Sequence, residues 1–359
     1  MKALIIQDMK RLGGGRRSSF IFADVFREMG YDAYFLTNLD GGIGEKNRVA
    51  FKVDYEFREN EPMLSSFYKI LKLKRQLKKV NVSEYDITLN HHPNVFIIKG
   101  DVNVLHGFSF LDPWIDENGN IIKKIPPVGL KMINIYGEYN GGFFTPNSRY
   151  TAALARKLLP EMGIEGKIGD VLHPPILYRQ YEHCEKKRQM IVIGRLNWSK
   201  GMEDAVNIAN STGEKTIIAG FMNKGDEEYV ESLKRRAGDS VEIRPNISED
   251  EKKALMMESS TIISLNRKEN FGISTVEAMN YGCVPIVPKS GGQWIDIVEE
   301  GKYGLGFSDY GEIPELAGKS FECGEKERRR IAESVERFSM QVFTAKLKKI
   351  VENVTASRR

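Results

Sequence analysis

From Met190 to Gly301 the chain alternates between short apolar runs and helical patterns, and no other feature limits its fold as tightly. "MIVIGRL" (190–196), "KTIIAGF" (215–221), "VEIRP" (241–245), "STIISLN" (260–266) and "CVPIVP" (283–288) read as strands. Between them, "MEDAVNIANS" (202–211), "DEEYVESLKRRAG" (226–238), "SEDEKKALMMES" (248–259), a helix holding Glu277 and "QWIDIVEEG" (293–301) have helical character. Continuous apolar strands separated by helices require a parallel sheet covered on both faces. Such sheets bind ligands outside the carboxyl ends of their strands, so the loops after these strands are where function is expected.

The first half repeats the theme. "KALIIQ", "YDAYFLT", "YDITLN" (85–90) and "VNVLHG" (102–107) read as strands, and "SSFIFADVFREMG" (18–30) as a helix. In "TPNSRYTAALARKLLPEMG" (145–163), Asn147 or Ser148 caps a further helix. Residues 171–189, with two prolines and a polar run, read as the crossing between domains. The expected organisation is an α/β domain over 1–178 and a second over 179–339, both Rossmann-like. A last helix, roughly 326–352, leads into a segment of about 340–359 that packs back on the first domain. Stretches 40–60 and 112–129 read as irregular loops.

A length of 359 residues suits two ordinary cores. Net charge of +4 excludes a strongly basic nucleic-acid binder. Three scattered cysteines indicate a reducing, cytoplasmic setting, and the five histidines show no metal-ligand spacing. No apolar run approaches the roughly 20 residues needed to span a bilayer, and the N-terminal apolar stretch is short for a signal peptide. "FYKILKLKRQLKK" (67–79) sets Phe67, Ile70, Leu71 and Leu77 near one stripe amid basic residues. That is either a packed helix with a solvated basic face or a peripheral contact with an anionic membrane.

The stretch "ENFGISTVE" (269–277) places two carboxylates around a glycine turn. Ser274 and Glu277 have capping-box spacing, which accounts for Glu277 but not for Glu269. A helix N-terminus here offers unpaired N–H groups and a positive dipole end, suited to a diphosphate, with Glu277 placed to accept from ribose hydroxyls. "GGG" (13–15) followed by Arg16 lacks the G-x-G-x-x-G spacing of a nicotinamide site. Gly13, Gly14, Gly15 and Arg16 still fit an acceptor or phosphate loop before a helix.

"ENFGISTVEAM" resembles the E-x7-E signature of retaining glycosyltransferases of the GT-B fold, family 4 (glycosyl transferases group 1). "GRLNWSKG" (194–201) resembles the family's donor-phosphate clamp, "HPPI" (173–176) the end of its first domain, and "YGCVPIVPKSGGQWIDIV" (281–298) the stretch after the motif. The resemblance covers about 190–300 closely and is topological before 170. It implies an α/β fold of two Rossmann-like doubly wound domains facing a central cleft, the first binding acceptor and the second the nucleotide-sugar donor. Gly194, Arg195, Lys200, Asn270, Phe271, Gly272, Ile273 and Glu277 would bind the donor. Arg195 and Lys200 would meet charge growing on the leaving diphosphate, Arg195 as a fork and Lys200 as a point charge. Glu269 would lie beside the donor sugar, and His106 resembles a first-domain histidine near it. His91 and His92, beside Pro93, read rather as a strand end.

The implied activity is retaining hexosyl transfer to a glycan, lipid-linked or small-molecule acceptor, with no cofactor and no metal. The donor is GDP- or UDP-linked, and the residues lean toward GDP-mannose. Two alternatives are a non-catalytic nucleotide- or sugar-binding protein of the same fold and a nicotinamide oxidoreductase, which the missing fingerprint disfavours.

Overall fold

The computed structural model describes residues 1–7, 14–37, 48–50, 63–93, 97–108, 111, 114–125, 129, 136–197, 200–223 and 225–357. The chain divides into two compact units, Met1–Pro174 with Gln341–Arg359, and Pro175–Met340.

Unit 1 carries strands β1 (Lys2–Ile6), β2 (Asp32–Thr37), β3 (Arg48–Ala50), β4 (Ile87–Asn90), β5 (Val102–Leu105), β6 (Gly142–Pro146) and β7 (Gly166–Ile168). Its helices are α1 (Gly14–Glu28), α2 (Met63–Leu77), α3 (Arg149–Glu161) and, from the far end of the chain, α10 (Met340–Ala356). The strands form one parallel sheet in the order β3-β2-β1-β4-β5-β6-β7. Alternation along β1 divides its side chains between two cores. Ala3 and Ile5 pack with Phe22 and Phe26 of α1 and with Phe343, Leu347, Ile350 and Val351 of α10. Leu4 and Ile6 pack on the other face with Leu73 and Leu77 of α2. Leu73 and Leu77 of α2 are therefore committed to the core. Ser148 caps α3 by accepting from the Thr151 N–H at 2.9 Å.

Unit 2 carries β8 (Lys187–Ile193), β9 (Thr216–Gly220), β10 (Val241–Pro245), β11 (Ser259–Ile263), β12 (Val284–Pro288) and β13 (Leu305–Phe307). Its helices are α4 (Met202–Thr212), α5 (Glu227–Arg236), α6 (Glu249–Glu258), α7 (Ile273–Asn280), α8 (Ile313–Phe321) and α9 (Glu325–Ser334). The sheet is parallel, in the order β10-β9-β8-β11-β12-β13. Met190, Val192 and Ile218 face a core with Val206 and Leu233, while Ile191 and Ile217 face another with Leu255, Met256 and Ala278. Strand order thus reverses between β1 and β4 in unit 1 and between β8 and β11 in unit 2. These are the topological switch points at which doubly wound sheets bind ligands.

Several elements differ from expectation. Residues Gln293–Ile297 form a π-helical turn rather than an α-helix, followed by Glu299 and Glu300 at positive φ. The last helix is broken: α9 stops at Ser334, a 3-10 turn spans Val335–Phe338, and α10 begins at Met340. The break lies where Phe338 is buried against Phe271 and Ser339 pairs with Ile176, so unit 2 claims the chain just before it passes to unit 1. The short strands β3, β7 and β13 give too brief a pattern to be read. Helix α1 starts at Gly14, four residues before the expected Ser18.

Candidate active site

The switch point of unit 2 is built on close backbone approach. Gly220, at the end of β9, has φ +150, and a Cβ there would overlap the Gly194 carbonyl beyond β8. The Gly194 N–H donates to Ala219 O at 3.1 Å, and the Leu196 N–H to Phe221 O at 2.8 Å. The chain then turns sharply, with the Asn197 N–H on Arg195 O at 2.9 Å, and Gly201 starts α4 in a left-handed conformation. Lys200, at this turn, places its Nζ 2.6 Å from Glu269 Oε2 on the loop after β11. The expected phosphate cation and the expected sugar carboxylate are thus ion-paired to each other.

That loop is strapped from both sides. Asn266 Oδ1 accepts from the Lys268 N–H at 3.0 Å, and Asn266 Nδ2 donates to Glu269 Oε2 at 3.4 Å. Ser290 Oγ donates to Arg267 O at 2.9 Å, and the Gly292 N–H to Glu269 O at 2.8 Å. A Cβ on Gly292 would overlap the Asn270 carbonyl. The paired glycines therefore let one backbone rest directly on the other and fix the height of Glu269. Asn266 was missed in the sequence. Its only signal was an asparagine at the end of an apolar strand, which is common.

Helix α7 is preceded by Gly272, whose φ of +105 suits glycine and whose absent Cβ leaves room for the Gln293 amide. No side chain caps this end. The expected Ser274–Glu277 capping box does not form. With Gly272 as the cap, Ser274 is the second helical residue, and its hydroxyl donates to Ile193 O at 3.1 Å. Glu277 lies one turn further in and accepts from Lys252 Nζ of α6 at 3.1 Å. Burial opposes the Lys252 charge, but Glu277 and Glu249 outweigh it and raise its pKa. Phe271 is 2% exposed and stacks edge-on with Phe338 at 5.2 Å, so its backbone, not its ring, is what a ligand can meet.

In unit 1 the β1/β4 switch point gathers uncharged polar groups. Gln7 follows β1, and its side-chain oxygen meets Nδ1 of the buried His91, which follows β4. Ser19 Oγ of α1 lies 3.3 Å from the same nitrogen. His106, beyond β5, packs edge-on against His91 with ring centroids 4.5 Å apart, and its buried Nε2 has no hydrogen-bond partner among the described residues. Burial first, then the charge of His92, push the His106 pKa down to about 4 against a hydrogen bond to the His91 backbone. Burial likewise holds His91 well below the ordinary range. The His92 N–H is capped by Asn90 Oδ1 at 2.9 Å, the strand-end role expected of it. Gly14, Gly15 and Arg16 lie in the first turn of α1, while Gly13 falls outside the described residues. Among the described residues, no three His, Cys, Asp or Glu side chains converge as a metal site.

Residues 176–337 match the family of glycosyl transferases group 1. That segment belongs to this family. The matched segment contains the Arg195–Lys200 turn and both glutamates. A GDP-Man:Man(3)GlcNAc(2)-PP-Dol alpha-1,2-mannosyltransferase of Dictyostelium discoideum is 28% identical over 144 residues, 38% of this chain and 28% of that protein's length. Sucrose-phosphate synthase of Thermosynechococcus elongatus superposes with a TM-score of 0.75 at 13% identity, over 99% of this chain and 100% of that one. An Anabaena protein, Alr3699/HepE, in complex with UDP-glucose, superposes with a TM-score of 0.67 at 16% identity, over 99% and 100% of the two chains. The structural likeness is one of fold: two Rossmann-like domains of the GT-B type, in which unit 2 contains the group 1 segment.

Proposed function

We propose that the protein is a retaining glycosyltransferase that moves a sugar from a nucleotide-sugar donor to a glycan, lipid-linked or small-molecule acceptor, without a metal. The observation that carries this reading is the meeting of Lys200 and Glu269, 2.6 Å apart, at the switch point of a group 1 domain. Unit 2 is the donor-binding unit and unit 1 the acceptor-binding one. The uncapped start of α7 directs the N–H groups of Ile273 and its neighbours at the diphosphate, with the backbone of Asn270, Phe271 and Gly272 beside it. Gly194 allows close approach, Arg195 and Lys200 meet the charge that grows on the leaving group, and Glu277 accepts from the ribose. Glu269 lies at the sugar and favours the cationic ring state. His106 offers a neutral imidazole to a hydroxyl group, and Gly14–Arg16, in the first turn of α1, a place for acceptor or phosphate.

A GDP- or UDP-linked donor is supported by likeness: the Dictyostelium relative is named for GDP-mannose, and the Anabaena structure holds UDP-glucose. No helix is long and apolar enough to cross a membrane among the described residues. Peripheral contact runs through α2 and the residues after it, where Tyr68, Lys72, Arg75, Lys78 and Lys79 are exposed. Because Leu73 and Leu77 are core residues, this contact is electrostatic adsorption without insertion of the stripe. The free cysteines support a reducing, cytoplasmic setting.

The test is nucleotide release from GDP- and UDP-sugars, with and without acceptor glycans, in wild type and Arg195→Ala. Release that is abolished in the variant and unchanged by EDTA is expected. Binding without release would make the protein a binder, and loss of activity in EDTA would overturn the cationic clamp.

A further inference from the structure

Lys252 stands in the first turn of α6, where the positive dipole end of a helix disfavours a cation. Its neighbours Glu249, Asp250 and Glu251 follow the usual acidic pattern, and Ser248 and Glu251 close the capping box without it. Neither the dipole nor the cap therefore accounts for its placement. The Lys252 side chain is 20% exposed and reaches two carboxylates, Glu249 at 2.9 Å and Glu277 at 3.1 Å. Glu249 is 77% exposed, so that pair contributes little. Glu277 is 21% exposed, and Lys252 is its only hydrogen-bond partner among the described residues. The ammonium sits on Oε2, leaving Oε1 without a partner there.

We propose that Lys252 is a positioning residue for the ribose: it holds Oε2 of Glu277 across from α6 so that the carboxylate is aimed, and its charge offset, before the nucleotide arrives. This rests on the reading of Glu277 as a donor-binding residue. Two ribose hydroxyls need a carboxylate fixed about its last torsion, and a terminal torsion of this kind is otherwise broad. An ammonium from a neighbouring helix fixes it, in a partly desolvated place where the bond is stronger than at the surface. Transfer chemistry does not involve Lys252, so its loss acts on donor affinity and on recognition of the ribose.

The experiment measures Kd for GDP and UDP and for their 2′-deoxy forms, together with KM and kcat, in wild type, Lys252→Met, Lys252→Arg and Glu277→Gln. Lys252→Met keeps the aliphatic stem. It is expected to weaken the ribonucleotide about tenfold, equivalent to about 1.4 kcal/mol, to raise KM for the donor, and to leave kcat and the melting temperature nearly unchanged. Binding of the 2′-deoxy form should change little, so discrimination between the two collapses, and Lys252→Arg should restore most of it. Equal losses for ribo and deoxy forms, or no loss in Lys252→Met while Glu277→Gln is weakened, would overturn the assignment of Lys252. Normal binding in Glu277→Gln, or no binding of either nucleotide by wild type, would instead remove the donor reading on which it rests, and the assignment with it.

Discussion

Replacing Glu269 by glutamine is expected to tighten nucleotide binding while slowing transfer. Lys200 and Glu269 are 26% and 21% exposed, and their charges meet at 2.6 Å. Exposed pairs contribute about 0.2–1 kcal/mol, and removing one partner of a fully buried pair costs about 3–5. A half-buried pair falls between, near 1–1.5 kcal/mol. On the proposed function a diphosphate must draw Lys200 away from Glu269, which would lower the wild-type affinity for free GDP or UDP by about this amount. In Glu269→Gln the ammonium is already released. Its Kd for the nucleoside diphosphate should fall about 5- to 12-fold. Turnover should fall about 10²–10³-fold, because a group acting on transition-state charge is lost. Isothermal calorimetry with GDP and UDP, alongside kcat from nucleotide release, gives both numbers. The cycle of Lys200→Ala, Glu269→Gln and the double variant isolates the coupling. Weaker nucleotide binding in Glu269→Gln, or strict additivity in the cycle, would refute the view that the two groups restrain each other.

Three further outcomes follow from the packing. Gly292→Ala should lower kcat and stability together, since its Cβ would overlap Asn270 O and lift the Glu269 loop; urea unfolding and turnover measured on one preparation check this. Arg328 is 5% exposed and donates to the carbonyls of Cys323, Ser260, Gly282 and Ser320, so Arg328→Met should cost about 3 kcal/mol in urea unfolding by orphaning them. His106 has a folded pKa of about 4, below its ordinary 6.5, so the unfolded chain binds its proton first. Its contribution to stability is intact above pH 6.5 and is lost as pH falls toward 4, and His106→Asn should flatten the melting temperature across that window.

The strands of unit 2 were legible because both faces of a parallel sheet are buried, and Met190–Val192 and Ile262–Ile263 accordingly show no polar alternation. What escaped reading depends on single contacts. "QWIDIV" has helical spacing, yet the backbone widens to a π turn beside the Gly291–Gly292 close approach, and nothing local in the sequence encodes that. The S-x-x-E spacing at Ser274 was real but shifted in phase. With Gly272 as the cap and Ile273 as the first helical residue, Glu277 is the fifth, out of reach of a cap. Lys252 was unreadable as Glu277's partner because the two are 25 residues apart on different helices, though a lysine directly after "SEDE" was a signal that something other than the dipole held it.

The two switch points also differ in the polar groups they present. Both arise from the same strand order, so topology gives each a place for a ligand. In unit 2 that place holds Arg195, Lys200 and Glu269 around an uncapped helix start, a set that answers separated charge. In unit 1 the described groups are Gln7, Ser19, His91 and His106, and burial keeps both imidazoles neutral at pH 7. Such neutral groups match hydroxyls, which both give and accept hydrogen bonds. His106, its buried Nε2 unpartnered among the described residues, has hydrogen-bonding capacity left to offer. On the proposed function, the charged set of unit 2 suits the diphosphate, and the described neutral groups of unit 1 suit hydroxyls of an acceptor.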